Sequence, residues 1–296
     1  VETFDSVFSF APGESLHVPA PGFLWGDRGG AAFTGTSNLS SGTLLASADG
    51  SFSWTPDLDE DFATFDFTIS DGTNSDTATV YLRSNIIFVA DSMTGGLNNG
   101  TSWYDAYLDL QSALAVAQDG DQIWVLASTY NPATSDRTVS FALVSGVEMY
   151  GGFDSDETAV EQRDPASNPT ILSGDLGTED DTSDNSYKIV TYVNGFGNLS
   201  DTVLLDSFII EDAYRIPPEA GSGGGIDLYN GTMILRDCVI RNNFTYLGGA
   251  LHCFDSVLTM VNREIYGNTG AYIGGAGYLG RSDISLINGL IHGNTS

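Results

Sequence analysis

Apolar and polar side chains alternate along the first part of the chain, up to about residue 84. After the turn Asp49–Gly50, Phe52 and Trp54 occupy alternate positions. Asp-Gly is a favoured hairpin turn, and such alternation puts one set of side chains on a single face of a strand. The same pattern flanks the next Asp-Gly pair, with Phe65, Phe67 and Ile69 before it and Ala78, Val80 and Leu82 after it. Short strands joined by such turns predict a β-sandwich over residues 1–84.

A helical pattern follows the sandwich and precedes a long series of strands. Four apolar residues recur at helical spacing, namely Leu110, Ala113, Leu114 and Ala117. This stripe predicts an amphipathic helix over about residues 104–118, which the stretch from Gln118 to Gly120 terminates. We expect it to cap one end of a stacked β core.

Three segments that begin with a glycine pair repeat one another in the last part of the chain. They start at Gly223, Gly248 and Gly274, so they are 25 and then 26 residues apart. The recurring apolar positions are Ile226/Leu251, Leu228/Cys253/Leu279, Met233/Leu258/Ile284, Leu235/Met260/Leu286 and Ile240/Ile265/Ile291. One coil cannot bury these side chains, but coils stacked about 4.8 Å apart can. We therefore predict a parallel β-helix over residues 85–296, with clear coils from about residue 201.

Polar residues also recur at fixed positions in these repeats. They form two aligned sets, Asn243, Asn268 and Asn294, and Asp237, Asn262 and Asn288. Asn and Asp tolerate left-handed turn conformations, and identical stacked Asn side chains can hydrogen-bond along a ladder. We expect both sets to be structural.

Two stretches resemble known families. The segments "DGSFSWTPD", "FATFDFTISDG" and "DTATVYL" within residues 5–83 resemble the bacterial Ig-like and cadherin-like modules of large surface proteins. The segments "NNGTSWYDAYLDLQSALAVAQDGDQIWVLASTY", "LVSGVEMYGGFDSDET" and "PTILSGDLG", together with the glycine-pair repeats, resemble a pectin-lyase-like right-handed β-helix family of polymorphic outer-membrane and adhesin-like surface proteins. The resemblances imply an all-β chain, a sandwich followed by a right-handed parallel β-helix.

The chain is strongly acidic, with 10 Lys and Arg against 39 Asp and Glu and a net charge of −29. Such a surface repels phosphate backbones, so we expect no nucleic-acid partner. No apolar run reaches the roughly 18 residues that a membrane span needs. The chain begins at Val1 without a signal peptide, and we expect a processed piece of an extracellular or cell-surface protein.

Clustered carboxylates suggest Ca²⁺ as a cofactor, because hard cations prefer oxygen ligands. The first candidate loop, residues 173–187, carries Asp175, Glu179, Asp180, Asp181 and Asp184. The second, residues 56–62, carries Asp57, Asp59, Glu60 and Asp61. A solvated acidic loop is the alternative interpretation of each.

The pattern of candidate catalytic residues does not favour an enzyme. Arg236 and Arg241 flank Asp237, but the position of Arg236 becomes Val261 in the next repeat. His252 and His292 lie at different positions of the repeat, which predicts two solitary surface or turn histidines. Cys238 and Cys253 also lie at different positions, which disfavours a disulfide.

We therefore expect a non-catalytic, extracellular structural or adhesive protein. A carbohydrate-binding protein or a polysaccharide lyase or hydrolase is the alternative. The last repeat leaves open strand edges, which a continuing chain, another molecule or a frayed coil would explain. Head-to-tail stacking would form a filament or surface layer, and a glycan or cell-surface partner is also expected. Candidate N-glycosylation sites are Asn38, Asn99, Asn198, Asn230, Asn243 and Asn294.

Overall fold

A computed structural model describes residues 1–179, 181–195, 201–216 and 222–296. They form two compact units, Val1–Leu108 with Asp154–Arg163, and Asp109–Phe153 with Asp164–Ser296. Their regular structure is almost entirely β, as the sequence predicts, and this fold class is confirmed. The domain boundary at residue 84 stays a prediction.

The first unit contains a two-sheet sandwich. Its strands are β1 (Ser6–Phe10), β2 (Leu16–Val18), β3 (Ala32–Ser37), β4 (Thr43–Ala46), β5 (Phe52–Thr55), β6 (Phe62–Ser70) and β7 (Ser75–Ser84), and β8 (Ile86–Val89) follows. One sheet has the order β1-β7-β6-β3, and the other has the order β2-β5-β4. The alternating side chains Phe52, Trp54, Phe65 and Phe67 are buried in one apolar cluster. The apolar side chains at alternate strand positions thus form the core of this unit.

The second unit begins with the helix α1 (Leu110–Val116). Asp109 caps it by accepting a hydrogen bond from the Ser112 backbone N–H at 2.8 Å. The predicted stripe is buried at Leu110, Ala113 and Leu114. The helix is shorter than predicted because Asp109 before it (φ −141°, ψ 148°) and Ala117 after it (φ −60°, ψ 144°) both have non-helical conformations.

The remaining strands of this unit stack as coils. They are β9 (Gln122–Leu126), β10 (Thr129–Tyr130), β11 (Phe141–Ala142), β12 (Glu148–Phe153), β13 (Thr170–Ser173), β14 (Val190–Val193), β15 (Thr202–Asp206), β16 (Phe208–Glu211), β17 (Ile226–Tyr229), β18 (Thr232–Arg236), β19 (Val239–Arg241), β20 (Phe244–Leu247), β21 (Leu251–Phe254), β22 (Val257–Tyr266), β23 (Thr269–Ile273), β24 (Gly277–Gly280) and β25 (Asp283–His292).

These strands pair in parallel on successive faces of a β-helix. β9, β12, β15 and β18 line one face, and β10, β13, β16 and β19 line the next, while the long strands β22 and β25 continue both. The third face has the order β11-β14-β17-β21-β24. Ile226 pairs with Leu251, and Leu251 with Gly277, as the 25- and 26-residue spacing predicts.

The predicted inward positions are buried in the inner coils and more exposed in the last one. Met233 and Leu258 are both fully buried in the described chain. Predicted inward positions of the last repeat are less covered, because Leu279, Leu286 and Ile291 are 48%, 53% and 44% exposed.

Left-handed residues form the corners of the coils, and they recur in four columns. The columns are Gly223/Gly248/Gly274, Asn230/Asp255/Arg281, Ser207/Asp237/Asn262/Asn288 and Asp212/Asn242/Gly267/Gly293, all with φ between 45° and 73°. Gly, Asn and Asp adopt this conformation at the least cost, which explains their abundance.

Candidate functional site

Asn243, Asn268 and Asn294 stack directly above one another inside the β-helix. The Nδ2 of Asn243 donates to the Oδ1 of Asn268 at 3.0 Å, and the Nδ2 of Asn268 donates to the Oδ1 of Asn294 at 2.9 Å. Each Oδ1 also accepts the backbone N–H of the asparagine in the preceding coil, at 3.0 Å in both pairs. Asn243 and Asn268 are buried, so the ladder satisfies polar groups that water cannot reach.

A cluster of three charged or polar side chains lies on the outward side of the third face. Ile226 and Leu228 point into the core, so the intervening Asp227 points outward. Asp227 pairs with Lys188 through Oδ2 and with the Nδ1 of His252 through Oδ1, the latter at 2.7 Å. The side chains of Asp227 and His252 are each only 11% exposed.

The surroundings of Asp227 favour its charged form. Burial by itself raises the pKa of this carboxyl, but the hydrogen bond from His252 and the charge of Lys188 outweigh it. The pKa of Asp227 is therefore lowered from its ordinary value of 3.8.

The prediction that His252 is a solitary surface or turn histidine was wrong. Asp227, His252 and Tyr278 pair in successive strands, so they occupy one column of the repeat. That signal was present in the sequence, because each residue lies four positions after the first glycine of its repeat. His292 also has a partner, since its Nε2 lies 3.0 Å from Glu264 Oε1.

Flat side chains stack beside this cluster. The rings of His252 and Tyr278 are 5.5 Å apart and nearly parallel, and those of Tyr229 and Phe254 are 5.6 Å apart. The guanidinium carbon of Arg281 lies 4.5 Å from the centroid of the Phe254 ring. Rings stacked from coil to coil face one another, so these contacts stabilise the stack of coils.

The chemistry of the cluster is that of an oriented histidine. Because the Asp227 carboxylate can only accept, Nδ1 carries the proton of this hydrogen bond. Within the described part of the chain, no hydrogen bond joins His252 to a serine, threonine or cysteine side chain. Cys238 and Cys253 are buried free thiols, and burial raises the pKa of each to about 12. Deprotonated thiols are therefore scarce at neutral pH.

Carboxylates of the two predicted acidic loops accept backbone hydrogen bonds, within the loop at residues 173–187 and from another segment at residues 56–62. Asp184 Oδ2 accepts from the Thr178 backbone N–H at 2.8 Å, and Asp181 Oδ1 accepts from that of Ser183 at 2.9 Å. Ser183 also lowers the pKa of Asp181, through its hydroxyl first and its backbone second. In the other loop, Asp57 Oδ2 accepts from the Gly42 N–H at 3.1 Å.

The part of the chain that the structure describes holds no cluster of metal ligands. There, no three His, Cys, Asp or Glu side chains are grouped so that they could hold an ion. Asp175, Glu179, Asp59 and Asp61 belong to that part, whereas Asp180 lies outside it. Ca²⁺ binding stays a prediction.

The predicted glycosylation sites differ in their surroundings. Asn243 Nδ2 is buried and donates to Ile210 O, Arg241 O and Asn268 Oδ1, which leaves no space for a glycan on the folded chain. Asn38 and Asn99 are exposed, and Asn198 lies outside the described residues.

Comparison with known proteins identifies the first module. Residues 5–83 match the family model of the bacterial Ig domain. No curated protein and no solved structure matches the chain. The Ig-like module predicted from the sequence is thus confirmed, and a bacterial Ig domain is typical of surface proteins. Among the described residues, no helix has the length and apolar character needed to cross a membrane.

Proposed function

We propose that the chain is a non-catalytic structural and adhesive part of a bacterial extracellular surface protein. The observation that supports this most is the presence of a bacterial Ig domain in one chain with stacked parallel coils. In these coils, the asparagines of one column hydrogen-bond to one another from coil to coil, and the aromatic rings of another column stack in the same way. Side chains that bond along the stack stabilise a stiff scaffold, and their polar groups are already occupied and do not act on a substrate.

The proposal includes head-to-tail self-association through the last coil. Leu286, Leu290 and Ile291 lie in β25 and are 53%, 55% and 44% exposed. A parallel coil from a second copy would cover these side chains and pair with the strand, and a contact that does not close on itself propagates into a filament.

The proposal also includes Ca²⁺, bound by oxygen atoms of the loop at residues 173–187. Asn185 is 5% exposed, and in the described chain its Oδ1 and the Oδ1 of Asp184 are buried without a hydrogen-bond partner. Buried oxygen atoms that only accept are stabilised by a bound cation.

Electron microscopy and light scattering of the purified chain test self-association. We expect fibres or higher masses with Ca²⁺, fewer of them with EDTA, and dispersed monomers for the double variant Leu286→Lys with Ile291→Lys. The exposed Leu58→Lys variant in the other unit is the matched control and should assemble like the wild type. Monomers of the wild-type chain under both conditions would contradict the filament.

A panel of polysaccharides tests the non-catalytic part of the proposal. Cleavage by the wild-type chain that is lost in His252→Ala would favour the alternative, a polysaccharide-cleaving β-helix.

A further inference from the structure

A cavity of about 300 Å³ lies within the first unit. Three of the four chain segments that line it are residues 4–8, with Phe4 and Asp5 just before β1, the turn that carries Trp25 and Arg28, and residues 102–104. Residues 155–157 complete the lining and include Asp156. The volume is at the lower end of small-molecule sites, which begin at roughly 300 Å³. We call this cavity the aromatic pocket.

The rings around the aromatic pocket are not stacked flat against one another. The Trp25 and Tyr104 rings are 5.7 Å apart, and their planes meet at 46°. Both residues are only partly buried, whereas Trp103 is 4% exposed and its Nε1 donates to Glu157 O at 3.1 Å. Tilted, partly exposed rings keep part of their faces available to a ligand, in contrast to the parallel stacks of the coils.

The polar groups of the pocket include both donors and acceptors. Arg28 supplies guanidinium N–H donors, and its central carbon lies 5.7 Å from the Phe4 ring centroid. Asp156 supplies a carboxylate acceptor, and Asp5 supplies its Oδ2, because its Oδ1 already accepts the Thr79 N–H at 2.7 Å. Glu157 is already engaged, because both of its carboxylate oxygens accept the Asp154 N–H, at 2.8 and 3.1 Å.

This combination discriminates between ligand charges. An anion would meet the carboxylates of the pocket and a chain with a net charge of −29. A cation would be attracted by these carboxylates and by the net charge, but it offers no acceptor to the guanidinium of Arg28. A neutral ring that has hydroxyl groups on its edge and C–H groups on its face matches donors, acceptors and aromatic faces at once.

We propose that the aromatic pocket binds a neutral pyranose ring, such as a hexose unit of a glycan. Trp25 and Tyr104 contact the C–H face of the sugar, and Arg28, Asp5 and Asp156 bond its hydroxyl groups. This binding site adds a ligand to the adhesive function and does not depend on self-association through the last coil.

Titration of the full chain with D-glucose, D-galactose, D-mannose and D-galacturonate tests the proposal by tryptophan fluorescence and ligand-observed NMR. We expect saturable binding of at least one neutral sugar with a Kd of about 1–10 mM, which is usual for few contacts. Trp25→Ala should weaken it about tenfold or more, and Arg28→Gln about fivefold. D-galacturonate should bind more weakly than D-galactose.

The control variant is Tyr272→Ala, which removes a 63% exposed ring from the coils and should leave the affinity unchanged. Circular dichroism of each variant verifies folding, and the exposed Arg28 provides a test if Trp25→Ala does not fold. The proposal is overturned if no neutral sugar binds below about 50 mM, or if the affinity is unaffected by both pocket variants. Light scattering on the same samples reports self-association separately, so failure of one proposal is distinguishable from failure of the other.

Discussion

Replacing Asn268 by alanine is expected to lower the free energy of unfolding by about 3–5 kcal/mol, because several buried polar groups lose their partners together. Asn268 Oδ1 accepts from the backbone N–H and the Nδ2 of Asn243, both at 3.0 Å. Its Nδ2 donates to Ile240 O and Tyr266 O, both at 2.9 Å. Urea denaturation followed by circular dichroism measures the loss.

Asn262→Gly is the matched control for this prediction. Asn262 lies in the same coil but is exposed, and it has a left-handed φ of 48° that glycine adopts freely. Its side chain has one long contact, 3.4 Å from Asn288 Nδ2. We expect a change within about 0.5 kcal/mol. Equal losses of unfolding free energy for Asn268→Ala and Asn262→Gly would contradict the prediction, because the ladder would then stabilise the fold no more than the exposed Asn262 does.

The regular coils of the β-helix were predictable because their period is constant. Ile226, Leu251 and Gly277 pair at spacings of 25 and 26 residues, and that repetition is visible in the sequence. The earlier coils are not visible in this way. Phe141 pairs with Val190, and Val190 with Ile226, although 49 and then 36 residues separate them. The segments between these paired strands differ in length, so the sequence has no constant period there although the strands still pair in register.

The cluster around Asp227 shows a different limit of sequence reasoning. Asp227 and His252 share a column of the repeat, so their contact could be inferred from the spacing. Lys188 precedes β14 in a coil whose length differs, and only the folded chain brings it to Asp227. The aromatic pocket is even less predictable, because its lining comes from segments as distant as Phe4 and Glu157.

Asp227→Asn is expected to lower the free energy of unfolding at pH 7 by about 2–3 kcal/mol. The substitution leaves Lys188 and His252 without their carboxylate, and breaking a buried ion pair costs about 3–5 kcal/mol. The expected loss is smaller because the Lys188 side chain is 25% exposed, so water replaces part of the interaction. The matched control is Asp255→Asn at the corner after β21, whose partner Arg281 is 69% exposed, and there we expect a loss of at most about 1 kcal/mol.

The pH dependence of this difference identifies the charge of Asp227 as its cause. The folded pKa of Asp227 is lowered from its ordinary value of 3.8, so ionised Asp227 contributes its full stabilisation above that value. The contribution is lost as the pH falls through the folded pKa, because the protonated carboxyl no longer pairs with Lys188. Denaturation curves of the wild type and Asp227→Asn should therefore differ above pH 3.8 and converge as the pH falls below it. Both proteins share the remaining acidic groups, so their titration largely cancels in the difference. A difference that stayed constant through the acid range would assign the effect to packing of the side chain instead of to its charge.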